Sequence, residues 1–292
     1  MLNEIFRIDF IGIGAAKAGT TWLGRILGEH PQLCMSEPKE VHFFNEKILF
    51  NAAFRKPNFH KGIRWYKKYF RHCSTHSIKG EITPRYLVDP VAAERIKEHN
   101  PDIKIFICLR NPVERIYSQY HFAYSFVGNE TRPIEMAIRE EPEYLEMSSY
   151  YKNIQTYLQH FRIDQIYFIW FEDIQHRSEE LVKEIYTFLN VDPHFVPQSL
   201  YRKSNEARRS RFRSLQPMIR LGNYFLVSIG MSGVVKKWKE AGGRDFIQKA
   251  NSKKLEKSPM PNEVKEYIVE SLKDDVAQLS ILLKKDLSHW LV

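Results

Sequence analysis

Three short apolar runs restrict the folds open to this chain most strongly. They are IDFIGI (8–13), IKIFICL (103–109) and IYFIWF (166–171). Each shows little alternation of polar and apolar residues, which is typical of a strand that is buried on both faces. Weaker strand patterns occur at 33–35 and 77–83.

Helical patterns separate these runs. The first covers 20–30, where Pro31 ends the helix, and the others lie near 90–99, 112–126, 150–161 and 178–189. Strands that alternate with helices in this way form a parallel sheet covered on both faces. The sequence therefore predicts a three-layer α/β sandwich with a central, mainly parallel sheet, in which ligands bind at the carboxyl ends of the strands.

The length and composition fit one globular domain over residues 1–292. The hydrophobic content is 43% and the charged content is 27%, and no apolar run reaches the roughly 18 residues of a membrane-spanning helix. After residue 200 the pattern becomes basic and irregular, so 200–260 is predicted to be a variable region that includes an apolar packing helix or lid at 221–235. Residues 261–292 are predicted to form a long amphipathic helix that closes the domain.

The N-terminus and the cysteines indicate the cellular compartment of the protein. The N-terminus MLNEIFRIDFIGIG lacks a basic region followed by an apolar stretch and a small-residue cleavage site, so we expect a chain that is mature from residue 1 and cytoplasmic. The three cysteines, Cys34, Cys73 and Cys108, are odd in number and widely spaced. This spacing indicates neither a disulfide framework nor a metal pattern, and Cys108 is expected to be a small buried apolar side chain.

A formal net charge of +9 favours an anionic partner. Four classes remain open on charge alone: a phosphorylated cofactor, a polyanion, a nucleic acid or a membrane surface. A basic, solvated exterior accounts for the same charge without any partner.

The stretch GIGAAKAGTTWLG (12–24) resembles a phosphate-binding loop with a displaced lysine. Counted from Gly14, the second glycine of the G-x-x-x-x-G-K-[ST] pattern falls on Gly19, but the lysine position holds Thr20. Lys17 lies three residues earlier, inside the loop. A strand, a glycine-rich turn and a helix N-terminus together form an anion site, because backbone N–H groups converge there and the helix dipole favours negative charge.

The absence of a lysine at position 20 indicates which kind of anion the loop could bind. A nucleoside triphosphate loop uses a Ser or Thr hydroxyl and an acidic residue to hold Mg²⁺, and the nearest acidic candidate here is Asp173. A phosphosulfate carries less charge than a triphosphate, so Lys17 and the backbone amides would suffice without a metal.

The segment FIGIGAAKAGTTWL resembles the 5′-phosphosulfate loop of sulfotransferases that use 3′-phosphoadenosine 5′-phosphosulfate (PAPS). A second motif of that family follows in KIFICLRNPVERIYSQY, with Arg110 at the end of a strand and Ser118 eight residues later. Asn111 and Pro112 are suited to the N-cap and first positions of a helix there. Arg110 could bind a phosphate with two hydrogen bonds, and Ser118 could add a hydroxyl.

The resemblance extends over most of the chain. HPQLCMSEPKEVHFFNE, WYKKYF, GEITPRYL and LSHWL follow the order found in the heparan sulfate glucosaminyl 3-O-sulfotransferases and their bacterial relatives. The resemblance implies PAPS as the cofactor, 3′,5′-ADP as its product and no metal. The residues that it assigns to PAPS in the first two motifs are Ala16, Lys17, Ala18, Gly19, Thr20, Thr21, Trp22, Arg110 and Ser118, with Trp22 stacked on adenine.

The later basic loop YRKSNEARRSRFR stands where the animal enzymes carry a cysteine-bridged loop. A loop at this point commonly closes over the 3′-phosphate in the family. The candidates for that contact are Asn205, Arg208, Arg209 and Ser210.

Transfer of a sulfuryl group to a hydroxyl requires a base, stabilisation of the developing charge and in-line placement of the reactants. The resemblance makes Glu40 the leading base, with His42 as its partner or substitute. Residues i and i+2 of an extended segment project to the same side, so both could face one cavity. Lys17 would stabilise the departing 3′,5′-diphosphate.

The acceptor side departs from the family. Lysine typically follows the glutamate of GEITPRYL in the heparan enzymes, whereas this chain has Ile82. The nearest replacements are Glu81 and Arg85, and Lys39 is a further candidate for contact with the acceptor.

The sequence thus predicts a sulfotransferase that acts on a hydroxyl of a carbohydrate or another small metabolite, with no nucleic acid partner and no integral membrane association. The first alternative is a P-loop kinase that uses ATP, with Lys17 as a displaced phosphate lysine and Asp173 as a metal ligand. The second is a basic module that binds nucleic acid through 202–213, although no helix-turn-helix or zinc pattern supports it.

Overall fold

A five-stranded, fully parallel sheet forms the centre of the computed structural model. The structure describes residues 6–46, 57–75, 77–201, 208–210, 252–254 and 259–292. The strands are β1 (Phe10–Gly14), β2 (Leu33–Met35), β3 (Ile78–Ile82), β4 (Lys104–Leu109) and β5 (Ile166–Trp170). Their order is β2-β3-β1-β4-β5. All five lie where the apolar runs predicted strands.

Strand β1 lies in the middle of the sheet, with β3 on one side and β4 on the other. The chain builds the β2–β3 side first and then crosses to β4 and β5. The point where the order reverses is the carboxyl end of β1, which is where open α/β sheets bind their ligands. The close pairing of β1 with β3 needs glycine at position 12, because a Cβ there would lie 2.8 Å from the Cγ1 of Ile82.

Helices flank the sheet. They are α1 (Thr20–Glu29), α2 (Gly62–Lys67), α3 (Pro90–His99), α4 (Pro112–His121), α5 (Ile134–Glu140), α6 (Glu143–Glu146), α7 (Tyr150–Leu158), α8 (Phe171–His176), α9 (Ser178–Leu189) and α10 (Asn262–Leu283). The helix predicted at 112–126 is α4 followed by a π-helical segment, Phe122–Val127. The sheet with its helices confirms the predicted α/β sandwich.

The C-terminal helix is shorter than predicted. Helix α10 ends at Leu283, because Lys284 adopts a left-handed conformation with φ of 50°. A separate 3₁₀ turn, Ser288–Leu291, follows and buries Trp290. The prediction of one helix through residue 292 is therefore wrong.

Two apolar clusters hold these elements together. The larger surrounds the sheet and includes side chains from α1, α7 and α9. The smaller joins α4, α5, α6 and α10. Helix α10 contributes to both, so the C-terminal part of the chain packs against helices from earlier in the sequence.

A disulfide joins Cys34 on β2 to Cys73, 39 residues later, in the turn that follows α2. The ring of His72 lies beside it, and the ligand atoms of the three residues are within 4.8 Å of one another. The prediction that the cysteines form no disulfide is therefore wrong, because only the fold brings the two distant positions together. Cys108 is fully buried, as predicted.

Much of the predicted variable region 200–260 lies outside the described residues, including 221–235. Two short segments within it, Arg208–Ser210 (β6) and Ser252–Lys254 (β7), pair as antiparallel strands. Among the described helices, none combines the length and the apolar character needed to cross a bilayer.

Candidate active site

The loop between β1 and α1 closes a tight turn at the carboxyl edge of the sheet. Lys17 and Gly19 both adopt positive φ angles, of 69° and 106°. At Gly19 the φ of 106° favours glycine, and a Cβ there would also lie 2.4 Å from the Cδ1 of Ile174. The loop therefore keeps the glycine frame that the sequence predicted for an anion site.

Two arginines hold the loop from its carbonyl side. Arg110 Nη1 donates to the carbonyl of Lys17 at 3.2 Å, and Arg115 Nη1 donates to the carbonyl of Ala16 at 3.4 Å. Arg115 is completely buried, and burial lowers the pKa of its guanidinium to about 10. It stays charged at neutral pH and adds positive charge beneath the loop.

Arg115 was not among the predicted site residues. It lies one turn into α4, where its position on the buried face makes it look like an ordinary helix residue. Its remaining donors reach Ser148, Gln119 and the carbonyl of Tyr144. These partners lie up to 33 residues away along the chain, so the sequence carries no local signal for its role.

The ammonium group of Lys17 lies 4.0 Å from the ring centroid of Phe122. Phe122 is 43% exposed, and it begins the π-helical segment that follows α4. An aromatic face at this distance attracts a cation. Phe122 is thus a second residue of the site that sequence reasoning missed.

Arg110 follows β4 directly, as predicted. Its guanidinium pairs with Glu114 at 3.0 Å and lies 4.2 Å from the ring centroid of Phe171. The Asn111 side chain accepts from the N–H of Val113 at 2.9 Å, which confirms the predicted cap of α4. Arg110 is therefore fixed at the edge of the loop.

Other predicted cofactor residues differ in their surroundings. Thr20 and Ala18 are buried, Thr21 is exposed, and Ser118 is half-buried on α4. Trp22 is only 5% exposed and belongs to the main core cluster. The stacking of Trp22 on adenine therefore stays a prediction.

Glu40 and His42 meet as predicted, but not on a strand. His42 Nε2 lies 3.6 Å from Glu40 Oε2, and Lys39 Nζ lies 3.3 Å from Glu40 Oε1. The segment has no regular secondary structure, and His42 adopts a φ of 56°. The predicted extended geometry is therefore wrong, and a kinked backbone brings the two side chains together.

The charge state of Glu40 follows from these neighbours. Partial burial raises the pKa of the Glu40 carboxyl group, although 42% of the side chain stays exposed, but the neighbouring His42 and Lys39 outweigh that effect and bring the pKa to about 2. Glu40 is thus an anion throughout the physiological pH range.

Lys39 connects this segment to the loop. Its Nζ donates to the carbonyl of Thr20, the first residue of α1, at 3.4 Å. Its stem passes over Gly24, where a Cβ would lie 2.8 Å from the Lys39 Cδ and 3.5 Å from the Ile82 Cδ1. Lys39 therefore lies between the anion loop and Glu40.

The structure overturns the prediction that Glu81 contacts an acceptor. Its side chain is 0% exposed, and its carboxylate accepts hydrogen bonds from the hydroxyls of Tyr66, Tyr86 and Thr83 and from the N–H of Val41. A carboxylate that is enclosed by four donors cannot touch a bound molecule. Sequence reasoning could not separate Glu81 from a cavity residue, because Glu81 lies close to the carboxyl end of β3, where ligands are expected.

Arg85 is 29% exposed and pairs with Glu143 at 2.8 Å. Burial raises the pKa of Glu143 to about 7, despite the opposing charge of Arg85. Glu143 was not predicted as a site residue.

Of the residues predicted to bind the 3′-phosphate in the basic loop, Arg208, Arg209 and Ser210 form β6. The β6 backbone, Arg208–Ser210, lies beside the segment Phe122–Val127, with Cα atoms within 8 Å of each other. Asn205 lies outside the described residues.

Comparison with known proteins gives one family. The family profile described as "Sulfotransferase domain" matches residues 7–257. The membrane-associated sulfotransferase kil1 of Dictyostelium discoideum is 34% identical over 146 residues, which cover 47% of this chain and 29% of that protein. The heparan sulfate glucosamine 3-O-sulfotransferase 5 of Mus musculus is 26% identical over 200 residues, which cover 65% of this chain and 55% of that protein.

The chain thus spans about half or less of the length of these curated relatives. Among solved structures, the crystal structure of a sulfotransferase from Alicyclobacillus acidocaldarius superposes with a TM-score of 0.70 at 23% identity, and the match covers 98% of this chain and 99% of that chain. This likeness agrees with the α/β fold described above.

Proposed function

The chain belongs to the sulfotransferase family, and from that premise we propose that it transfers a sulfuryl group from PAPS to a hydroxyl of a carbohydrate or another small metabolite. The observation that carries the proposal is the position of Lys39. It links the first turn of α1 to the carboxylate of Glu40. The side chain of Lys39 therefore lies between the anion loop and the acid–base pair formed by Glu40 and His42.

The loop fits a phosphosulfate donor. The loop supplies the ammonium of Lys17 and leads into the N-terminus of α1, and Arg110 at the end of β4 adds its guanidinium beside it. We assign charge stabilisation on the leaving 3′,5′-ADP to Lys17, because a cation placed where charge develops lowers the barrier. Ser118 and β6 are proposed to hold the 3′-phosphate.

The proton of the acceptor hydroxyl must leave as the sulfuryl group arrives. We propose Glu40 as the base and His42 as the group that orients it through the contact at 3.6 Å. A carboxylate with a pKa of about 2 is always ready to accept a proton, although it is a weak base. His42 is the alternative base, oriented by Glu40 in its turn.

For the acceptor we propose a hydroxyl-bearing sugar, since several similar proteins are heparan sulfate glucosamine 3-O-sulfotransferases. Lys39 and Arg85 are the charged side chains proposed to contact it. The kinase alternative is disfavoured by membership in the sulfotransferase family and by Thr20 in the lysine position.

The test is transfer of labelled sulfate from PAPS over a panel of carbohydrate and small hydroxyl acceptors, with EDTA present. We expect transfer to at least one acceptor, and calorimetric binding of 3′,5′-ADP. A protein that binds Mg²⁺-ATP but not 3′,5′-ADP would overturn the proposal.

A further inference from the structure

We propose that Glu81 is a positioning residue, which holds the segment 39–44 so that Glu40 and His42 keep their mutual geometry. This inference rests on the proposed function, because it concerns the acid–base pair of that reaction. It replaces the acceptor-binding role that the sequence suggested for Glu81.

The first support is the surroundings of the carboxylate. Its Oε1 accepts from the hydroxyls of Tyr66 at 2.7 Å and Tyr86 at 3.0 Å, and its Oε2 accepts from Thr83 at 2.8 Å and from the N–H of Val41 at 3.2 Å. Burying a carboxylate is costly unless donors surround it. Four donors on a completely buried group mark a built network, not an incidental contact.

The second support is where the network ends. Val41, which stands between Glu40 and His42, donates its N–H directly to Glu81. The N–H of His42 donates to Thr83 Oγ1 at 3.5 Å, and Thr83 donates its own hydroxyl to Glu81.

Tyr86 continues the pattern. Its hydroxyl oxygen accepts from the N–H of Phe43 at 2.8 Å and of Phe44 at 3.3 Å, while its proton goes to Glu81. Four consecutive N–H groups, from residue 41 to 44, thus end on Glu81 or on a hydroxyl that is bonded to it.

The third support is the backbone itself. This segment belongs to no helix or strand, and His42 has a positive φ, which costs a non-glycine residue free energy. Buried N–H groups outside regular structure need partners elsewhere. Glu81 and the groups bonded to it provide those partners and so select the kinked conformation.

The network also requires protonated tyrosines. Burial and the neighbouring charge of Glu81 raise the pKa of Tyr66 and of Tyr86 well above the ordinary value. Both hydroxyls therefore remain donors at any working pH.

The experiment compares Glu81→Gln with the wild type. The amide keeps the size of the side chain but turns one acceptor into a donor that faces donors. We expect kcat to fall by about 10- to 100-fold, because misplacement of a catalytic group by about 1 Å can cost that much. The Kd for 3′,5′-ADP should stay within twofold, since the loop does not depend on Glu81.

Hydrogen exchange provides a readout that is independent of turnover. The amides of residues 41–44 should exchange at least tenfold faster in Glu81→Gln, while those of α9 remain unchanged. Tyr186→Phe is the matched control, because Tyr186 is a buried tyrosine whose hydroxyl bonds to the carbonyl of Ile26, away from the segment. It should alter neither kcat nor exchange at 41–44.

If Glu81→Gln does not fold, Tyr86→Phe provides a second test. It should reduce kcat by about fivefold to tenfold and release the amides of 43 and 44 only. The inference is overturned if a folded variant of Glu81 or Tyr86 keeps wild-type kcat and protection, or if 3′,5′-ADP binding falls as much as kcat. A wild type that transfers no sulfate would sink the proposed function, while exchange at 41–44 would still test the role of Glu81.

Discussion

The two walls of the candidate site are built in different ways. The anion loop, Gly14–Thr20, is formed by residues that are consecutive in the chain and continue directly into α1. The base segment, residues 39–44, has no element of its own and takes its conformation from Glu81 and Tyr86, about 40 residues later. The first wall is one continuous stretch of chain that Arg110 and Arg115 brace, whereas the second takes its conformation from distant residues.

This difference predicts where each wall is vulnerable. A substitution in the loop changes the chemistry of the anion directly. A substitution in the network under the base segment acts through position and leaves the loop intact. Substitutions in the two walls therefore distinguish chemical effects from positional effects.

The largest effect is expected for Glu40→Gln. Loss of the base should reduce kcat by 10²- to 10⁴-fold, with 3′,5′-ADP binding retained, as measured by labelled sulfate transfer and calorimetry. The pH profile identifies the base. With Glu40, whose pKa is about 2, kcat/KM should show no acidic limb between pH 8 and 5.

An imidazole base would behave differently, because imidazole groups ordinarily gain a proton in that pH range. If kcat/KM falls on acidification and only His42→Ala abolishes transfer, the base is His42. The contrast between the walls would remain, since both residues belong to the same segment.

Lys17→Ala tests the local wall. Removal of one group that stabilises developing charge typically reduces kcat by 10²- to 10³-fold. The control is Lys273→Ala, which removes a lysine that is paired with Glu270 on the exposed side of α10. Turnover of Lys17→Ala within threefold of wild type would remove Lys17 from the leaving-group role.

The double variant Cys34→Ser/Cys73→Ser tests how firmly the base segment is anchored. The disulfide closes a loop of 39 residues that contains the base segment, and a crosslink of this span contributes about 2–4 kcal/mol to the free energy of unfolding. Urea unfolding should show this loss. Equal stability of the oxidised wild type and the double variant would show that the disulfide contributes nothing.

The smallest effect is expected for Asn111→Ala. Loss of the cap on α4 should lower the free energy of unfolding by about 1 kcal/mol. Because Arg110 precedes this cap, the Kd for 3′,5′-ADP should also rise slightly. A variant with an unchanged free energy of unfolding would show that Pro112 alone suffices to start the helix.

The sequence by itself determined the sheet, the loop and the starts of α1, α3, α4, α7, α9 and α10, but it did not indicate α2, α5, α6 or α8. Short, β-branched apolar runs between helical patterns favour buried strands, and Gly14, Gly19, Asn111 and Pro112 constrain the backbone within a few residues. Local constraints of this kind survive any tertiary context, which is why β1 to β5 and the cap of α4 appear where predicted.

The tertiary structure alone decided what distant residues do. Burial turned Trp22 toward the core and Glu81 into an anchor, and it placed Arg115 under the loop. It also joined Cys34 to Cys73. None of these roles has a local pattern, because each depends on partners that become neighbours only when the sheet assembles, and the free energy of burial and hydrogen bonding is set by those neighbours.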